Sequence, residues 1–174
     1  MAKSNRANCL STFHSPLGWI AMVGSGGTLK ALSFGHRSES AAVRALDPGL
    51  VRNARRCRWN EKLARRLGAY ASGRADDFRD VAIDPGPQTK FQSRVILACR
   101  QIPCGETLTY SELAAAAGYP GAARAVGNCM AANRIPLVVP CHRVVGADGR
   151  LRGYSGPGGL RTKLRLLEIE RCRR

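Results

Sequence analysis

The sequence predicts two unlike halves: an α/β domain over residues 1–84 and a mainly α-helical domain over residues 85–174 with a helix-turn-helix at its centre. Three observations lead there. Residues 9–34 alternate weakly between apolar and polar, with turn signals at Ser15-Pro16-Leu17-Gly18 and Ser25-Gly26-Gly27, the pattern of short antiparallel strands joined by hairpins. Asp84-Pro85-Gly86-Pro87 is stiff and polar, and makes the best domain boundary in the chain. Beyond it apolar residues recur at helical spacing, and a short helix, a glycine-containing turn and another helix follow one another.

Residues 38–46 and 60–72 read as helices, the second with Leu63, Leu67 and Tyr70 on one face. Arg52, Arg55, Arg56, Arg58, Arg65 and Arg66 crowd this region and read as a solvated face, and residues 81–83 as a last strand. In the second half, residues 90–101 read as a helix with Phe91, Val95 and Ala98 inward. Residues 111–117 form the next, with Thr109 or Ser111 as N-cap and Gly118 as its end. Tyr119-Pro120-Gly121 turns the chain into a third helix over residues 122–133. A glycine-rich loop over residues 150–159 precedes a closing helix over residues 160–172.

Composition narrows the function. Hydrophobic residues make up 44%, too many for a disordered chain. No apolar run approaches the roughly 18 residues of a membrane span, and the amino end lacks a signal-peptide pattern, so the expected location is the cytoplasm, on the nucleoid in a prokaryote. Lys and Arg total 28 against 12 acids, a net charge of +16. A small domain carrying such a field repels itself, which favours a polyanionic partner, nucleic acid first, over an idle basic surface. Seven cysteines with no secretory signal argue against a disulfide framework, and without a CxxC pair no zinc ribbon or thioredoxin motif is expected. Most of these thiols should be small core residues.

Two segments carry the chemistry. Ala122-Ala123-Arg124-Ala125-Val126-Gly127 is nearly bare, with Arg124 the only charge before Arg134. A helix reading the major groove normally presents several polar side chains to base edges. Small residues instead permit close approach to a shallow groove, or close packing in a core, and the lone arginine could contact a phosphate or fill the gap left by an extruded base. The second segment, residues 135–144, delivers Cys141-His142 directly after an apolar run bracketed by Pro136 and Pro140. A thiolate is a nucleophile that a neighbouring imidazole activates. Adjacent side chains on extended chain face opposite ways, so the pair needs a turn or a bridging water.

Pro140-Cys141-His142-Arg143-Val144 resembles the active-site signature of the O6-alkylguanine-DNA alkyltransferase family. Similarity continues in Phe91-Gln92, Ile102-Pro103-Cys104-Gly105-Glu106-Thr107, Tyr110, residues 122–127, Asn133, Gly153-Tyr154-Ser155-Gly156 and Leu166-Leu167, spanning roughly residues 90–171. The resemblance implies a ribonuclease-H-like N-terminal domain, a winged helix-turn-helix core and repair of duplex DNA containing O6-alkylguanine (O4-alkylthymine being open). The transfer is single and irreversible, needs no cofactor or metal, and is made by a protein monomeric in solution. Cys141 attacks the alkyl carbon, His142 takes the thiol proton through a water, and a carboxylate orients the imidazole. Tyr110 donates toward guanine N3, Asn133 braces the loop, Ser155 N–H faces O6, and the carbonyls of Cys141 and Val144 accept from the exocyclic amine. Arg124 fills the gap after the nucleotide rotates out. Ser111, Tyr119, Ala123, Gly127 and Tyr154 complete the DNA and substrate face.

The carboxylate is either Glu168, by spacing from the cysteine, or Glu170, by alignment on Leu166-Leu167 across a loop two residues longer than usual. At 100° per residue Glu170 falls between Leu166 and Leu167 while Glu168 does not, so Glu170 is the choice, although Lys163 shares the same arc. Ile96 where tryptophan is usual, Arg134 where proline often follows the asparagine, and Tyr119 in the turn depart from the family pattern. The rivals are a lesion-binding relative without transfer, which replaces the nucleophile, a helix-turn-helix regulator, which the bare helix disfavours, and a Cys-His hydrolase, which releases its adduct.

Overall fold

The computed structural model describes residues 7–171. Three strands make an antiparallel meander, β1 (Asn8–Ser15), β2 (Gly18–Ser25) and β3 (Thr28–His36), and β4 (Ala54–Arg56) pairs parallel with β1, giving the order β3-β2-β1-β4. The weak alternation of the sequence has a simple cause. Strand β2 is buried on both faces, Ile20 and Met22 entering the main core while Ala21 and Val23 pack in a second cluster with Ala42 and Leu46. That second cluster is covered by α1 (Glu39–Arg44), capped by Ser38, whose hydroxyl accepts from Ala41 N–H.

A short α2 (Pro48–Arg52) follows, with Asp47 as N-cap and proline at its first position, where the missing N–H costs nothing. Neither α2 nor β4 was expected, each being too short to show a period. Helix α3 (Glu61–Ala71) buries Leu63, Leu67 and Tyr70, each worth about 1.5–3 kcal/mol of apolar transfer. Arg66 corrects the reading of a uniformly solvated arginine face: it makes paired bonds to Asp76 and Asp80 and lies over the Phe78 ring. Arg52, Arg55, Arg56, Arg58 and Arg65 are exposed. The expected strand over residues 81–83 reduces to one parallel bridge, Leu29 to Ile83.

The second half runs α4 (Lys90–Arg100), β5 (Leu108–Thr109), α5 (Tyr110–Ala116), α6 (Ala123–Ala131), β6 (Val144–Val145) and α7 (Leu160–Arg171). Cys172, the last residue of the expected closing helix, lies outside the described residues. Thr89 and Thr109 cap α4 and α5 in reciprocal capping boxes with Gln92 and Glu112. Inward on α4 are Val95 and Cys99, with Phe91 and Ala98 half-buried. Gly118, at φ +84°, ends α5 in the left-handed conformation that glycine adopts without strain. Helix α6 is shorter than the expected 122–133, and Ala122 at its N-cap has no side chain with which to cap it.

One apolar core runs through both halves, joining Leu17, Phe34 and Leu67 to Val95, Ile135 and Leu166. Polar bonds cross as well: Leu32 N–H donates to Arg134 carbonyl at 2.9 Å, and Arg100 donates to the carbonyls of Phe78 and Val81.

Candidate active site

The reactive segment is held by its own backbone and by one amide. Between α6 and Cys141 the chain buries Ile135, Leu137, Val138 and Val139 in a tight loop, with Val139 N–H returning to Ile135 carbonyl at 2.9 Å. Asn133 closes the loop. Its Oδ1 accepts from Ile135 N–H, and its Nδ2 donates to Val139 carbonyl at 2.9 Å and to Cys141 Sγ at 3.2 Å. Pro140 then leads into a single 3-10 turn over Cys141–Arg143, the turn that an adjacent Cys-His pair requires. Burial pushes the Cys141 thiol up, against the pull of the Asn133 amide and the Lys163 charge, so the resting residue is a thiol rather than a thiolate.

Glu170 is the hub of the site. Helix α7 turns Lys163, Leu166, Leu167 and Glu170 inward and leaves Glu168 exposed, so side-chain phase separates the two acids. Glu170 Oε1 lies 2.8 Å from His142 Nε2 and accepts from the Tyr70 hydroxyl at 2.5 Å. Arg143 donates to both oxygens at 2.9–3.2 Å, and Gly105 N–H reaches Oε2 at 3.1 Å. Gly105, at φ +83°, is needed there, since a Cβ would sit 3.3 Å from Glu170 carbonyl oxygen. Burial alone would raise the carboxyl pKa, but the hydrogen bond of His142 and the bonds and charge of Arg143 overcome it and hold Glu170 ionised below the ordinary range. His142 is itself lowered, burial outweighing Glu170, so it rests neutral. The standing positive charge on the carboxylate is therefore Arg143, wholly buried, with Ile102 carbonyl and Asp77 taking its other nitrogen.

An ionised carboxylate at Nε2 places the ring proton there and leaves Nδ1 as the acceptor. Nδ1 is buried and has no protein partner. The arrangement can thus take a proton at Nδ1 while the imidazolium that forms is stabilised at once through Nε2.

A cavity of about 250 Å³ opens at Cys141, walled by Tyr110, Gly127, Met130, Ala131, Tyr154 and Ser155. The Tyr110 hydroxyl makes only a long 3.5 Å contact to Arg152 carbonyl, which leaves it free to donate elsewhere. Lys163, on the buried face of α7, donates to Val144 carbonyl at 2.6 Å and to Arg152 carbonyl at 2.8 Å, tying the glycine-rich loop to the reactive turn. The Val144 carbonyl thus keeps one lone pair rather than two. Gly127 faces the Tyr110 ring at ordinary contact distance, and Ala123 is half-buried one turn earlier. Arg124 is exposed on α6 and Ser111 on α5, while Tyr119 packs edge-on against Phe91 at 5.0 Å.

Of the residues singled out in the sequence, Cys141, Tyr110, Gly127, Tyr154 and Ser155 line one cavity, Asn133 is bonded to Cys141 Sγ, and His142, Glu170 and Val144 are buried outside the lining. Arg124, Ser111 and Tyr119 lie outside it. Sequence reading missed Tyr70, which looked like a core position of α3, and gave Arg143 no role. A lysine and a glutamate sharing the apolar arc of α7 were the one available signal of a buried polar hub.

The family model for the DNA-binding domain of 6-O-methylguanine DNA methyltransferase matches residues 90–172. Methylated-DNA–protein-cysteine methyltransferases of Mycobacterium tuberculosis and Methanosarcina barkeri are each 40% identical to this chain, covering 93% and 90% of it and 92% of each relative. The solved structure of Mycobacterium tuberculosis OGT in complex with DNA is similar at a TM-score of 0.74 and 40% identity, covering 95% of this chain and 94% of that one. The O6-methylguanine-DNA methyltransferase of Pyrococcus kodakaraensis gives 0.67 at 26% identity, covering 94% and 98%. A cysteine with a buried imidazole-carboxylate pair behind it, on a mixed α/β fold shared along almost its whole length with these proteins, has one reading: the chain belongs to the methylated-DNA–protein-cysteine methyltransferase family.

Proposed function

We propose that the protein repairs duplex DNA by direct reversal, moving the alkyl group of O6-alkylguanine onto Cys141 in a single irreversible step. The observation that carries this reading is the convergence of Cys141, neutral His142 and ionised Glu170 beside a cavity closed by Tyr110. The thiol proton passes to His142 Nδ1, through a water, as the sulfur attacks the alkyl carbon. The S–C bond forms, the C–O6 bond breaks, and its electrons stay on guanine. Tyr110 donates toward guanine N3 and offsets the charge that develops there, and the proton lost by Cys141 is the one guanine regains. The product is a thioether, which Glu170 and His142 cannot cleave, so each molecule acts once.

The remaining roles rest on the family resemblance. Arg124 fills the stack when the nucleotide rotates out, Ser155 N–H faces O6, and the carbonyls of Cys141 and Val144 receive the exocyclic amine. Ser111 of α5 and Ala123 and Gly127 of α6 present small side chains to DNA, Tyr119 meets it from the turn between the two helices, and Tyr154 lines the base pocket. The sheet order β3-β2-β1-β4 with β4 parallel to β1 supports a ribonuclease-H-like first domain over residues 1–84. The turn between α5 and α6 supports a winged helix-turn-helix over residues 85–174. The protein works as a monomer, in the cytoplasm.

Arg124 separates flipping from ordinary phosphate contact. Arg124→Ala should cut transfer from duplex DNA severely while sparing transfer from free O6-benzylguanine, where no stack has to open. Single-turnover rates at saturating protein read the difference. A duplex rate within a few-fold of the unaltered protein would remove the flipping role, since a lost phosphate contact weakens binding and lowers the salt slope by about 1 but leaves the saturated rate alone.

The pH profile tests the base. Burial holds the His142 pKa below its ordinary 6.5, so the acceptor form persists on the acid side. Transfer should stay level down to pH 6.5 and fall only below it, and an acid limb centred above 6.5 would rule out His142 as acceptor. Stability follows the same sign. The unfolded chain takes up the proton first, so His142 contributes a loss of stability as pH falls below about 6.5.

A further inference from the structure

We infer that Tyr70, a residue of the sheet half, is a positioning residue for the transfer: its hydroxyl draws on the charge of Glu170 Oε1 and so keeps His142 free to accept the Cys141 proton. The inference rests on the alkyl-transfer reading above. Helix α3 buries the Tyr70 ring in the core, edge-on to Phe78 with ring centres 5.6 Å apart. Filling that space needs only a ring, and phenylalanine would serve. The hydroxyl requires a reason of its own, because a buried O–H without a partner is costly. It meets two groups, Glu170 Oε1 at 2.5 Å and His142 Nε2 at 3.3 Å. Burial first, and then the Glu170 charge, push the Tyr70 hydroxyl well above the ordinary tyrosine range, so it stays protonated. With the ring proton of His142 already on Nε2, the Tyr70 proton goes to the carboxylate.

Three side chains therefore compete for one oxygen. Tyr70 donates to Oε1 at 2.5 Å, His142 at 2.8 Å and Arg143 at 2.9 Å. A short bond to an ionised oxygen is a strong one, and each donor that draws on the charge leaves less for the others. The charge that reaches His142 sets how readily it becomes imidazolium. His142 is faced by Glu170 and Lys163 from α7, by Cys141 and Arg143 within its own turn, and by Tyr70 from α3. Asp77 acts on it through Arg143, and Cys104 lies beside Glu170 and Arg143. Lys163 and Arg143 disfavour the imidazolium, while Glu170 favours it. Arg143 brings a full charge to Oε1, whereas Tyr70 tempers that oxygen without adding one. Without the hydroxyl, more of the carboxylate charge falls on the imidazole, which then protonates at higher pH and has no free Nδ1 for the thiol proton.

The test uses the full-length protein and duplex DNA carrying O6-methylguanine. Tyr70→Phe keeps the ring and removes only the hydroxyl. The acid limb of single-turnover transfer should move to higher pH by about one unit, the scale of a single net hydrogen bond, with the plateau rate within about three-fold. The ring nitrogens of His142, one of three histidines, should titrate with the same shift in 15N NMR. Placing 3-fluorotyrosine at position 70 keeps the shape and strengthens the donor, and it should move both readouts the opposite way. That second variant keeps the test available if Tyr70→Phe does not fold. A hydroxyl that only anchors α3 to α7 would lower the melting temperature of Tyr70→Phe and leave the limb and the ring titration in place. That result, or a shift of Tyr70→Phe to lower pH, would overturn the inference. Failure of the unaltered protein to transfer methyl would instead sink the alkyl-transfer reading, and the ring titration would still decide the part played by Tyr70.

Discussion

Cys141→Ala is expected to abolish alkyl transfer while DNA affinity stays within about two-fold, because affinity comes mainly from phosphate contacts made by a strongly basic surface. The sulfur is the only atom in the site that can accept the alkyl group and keep it. Other thiols are poorly placed. Cys129 is buried in α6, and burial together with the Glu170 charge pushes the half-exposed Cys104 up. After incubation with O6-methylguanine DNA, peptide mass spectrometry should place one added methylene on the peptide holding Cys141. Its appearance on Cys104 or Cys129 would remove Cys141 as the acceptor.

Glu170→Gln should slow transfer by roughly 10²–10⁴, the usual scale for disabling a general base, whereas Glu168→Gln should leave it nearly unchanged. An amide at Glu170 no longer orders the tautomer of His142 or stabilises the imidazolium, and it leaves buried Arg143 with only the more distant Asp77, at 3.4 Å, as counter-charge. Breaking a buried pair on one side costs about 3–5 kcal/mol, so the variant should also melt at a lower temperature. Rates are therefore compared below the onset of melting. A larger rate defect for Glu168→Gln would refute the geometry of α7 described above.

Where sequence reading succeeded and where it stopped has a physical pattern. Asn133, Cys141 and His142 lie within one short loop, and their chemistry is written in local spacing. Glu170 could be chosen over Glu168 because helical phase is itself a local property, and the buried face of α7 agrees with that choice. Tyr70 and Arg143 were different. Their partners are far away in the chain, and nothing in α3 separates a tyrosine that fills the core from one whose hydroxyl also holds a carboxylate. The fold behaved likewise. The hairpins of β1 to β3 and the capped helices α4 and α5 carry strong turn and cap signals. The five-residue α2 and three-residue β4 carry no period, and β4 exists only because β1 offers it an edge.

The bond from Tyr70 to Glu170 spans 100 residues of chain, and that from Arg143 to Asp77 spans 66. Closures of this length come late in folding, because the loop entropy must be met before the contact returns anything. Helices and hairpins, whose contacts are local, form long before. A refolding chain should therefore pass through a stage with nearly full helical signal in circular dichroism and no competent nucleophile. Recovery of alkyl transfer, sampled during refolding, should lag behind recovery of ellipticity, and the lag should shorten when a substitution elsewhere stabilises the docking of α3 against α7.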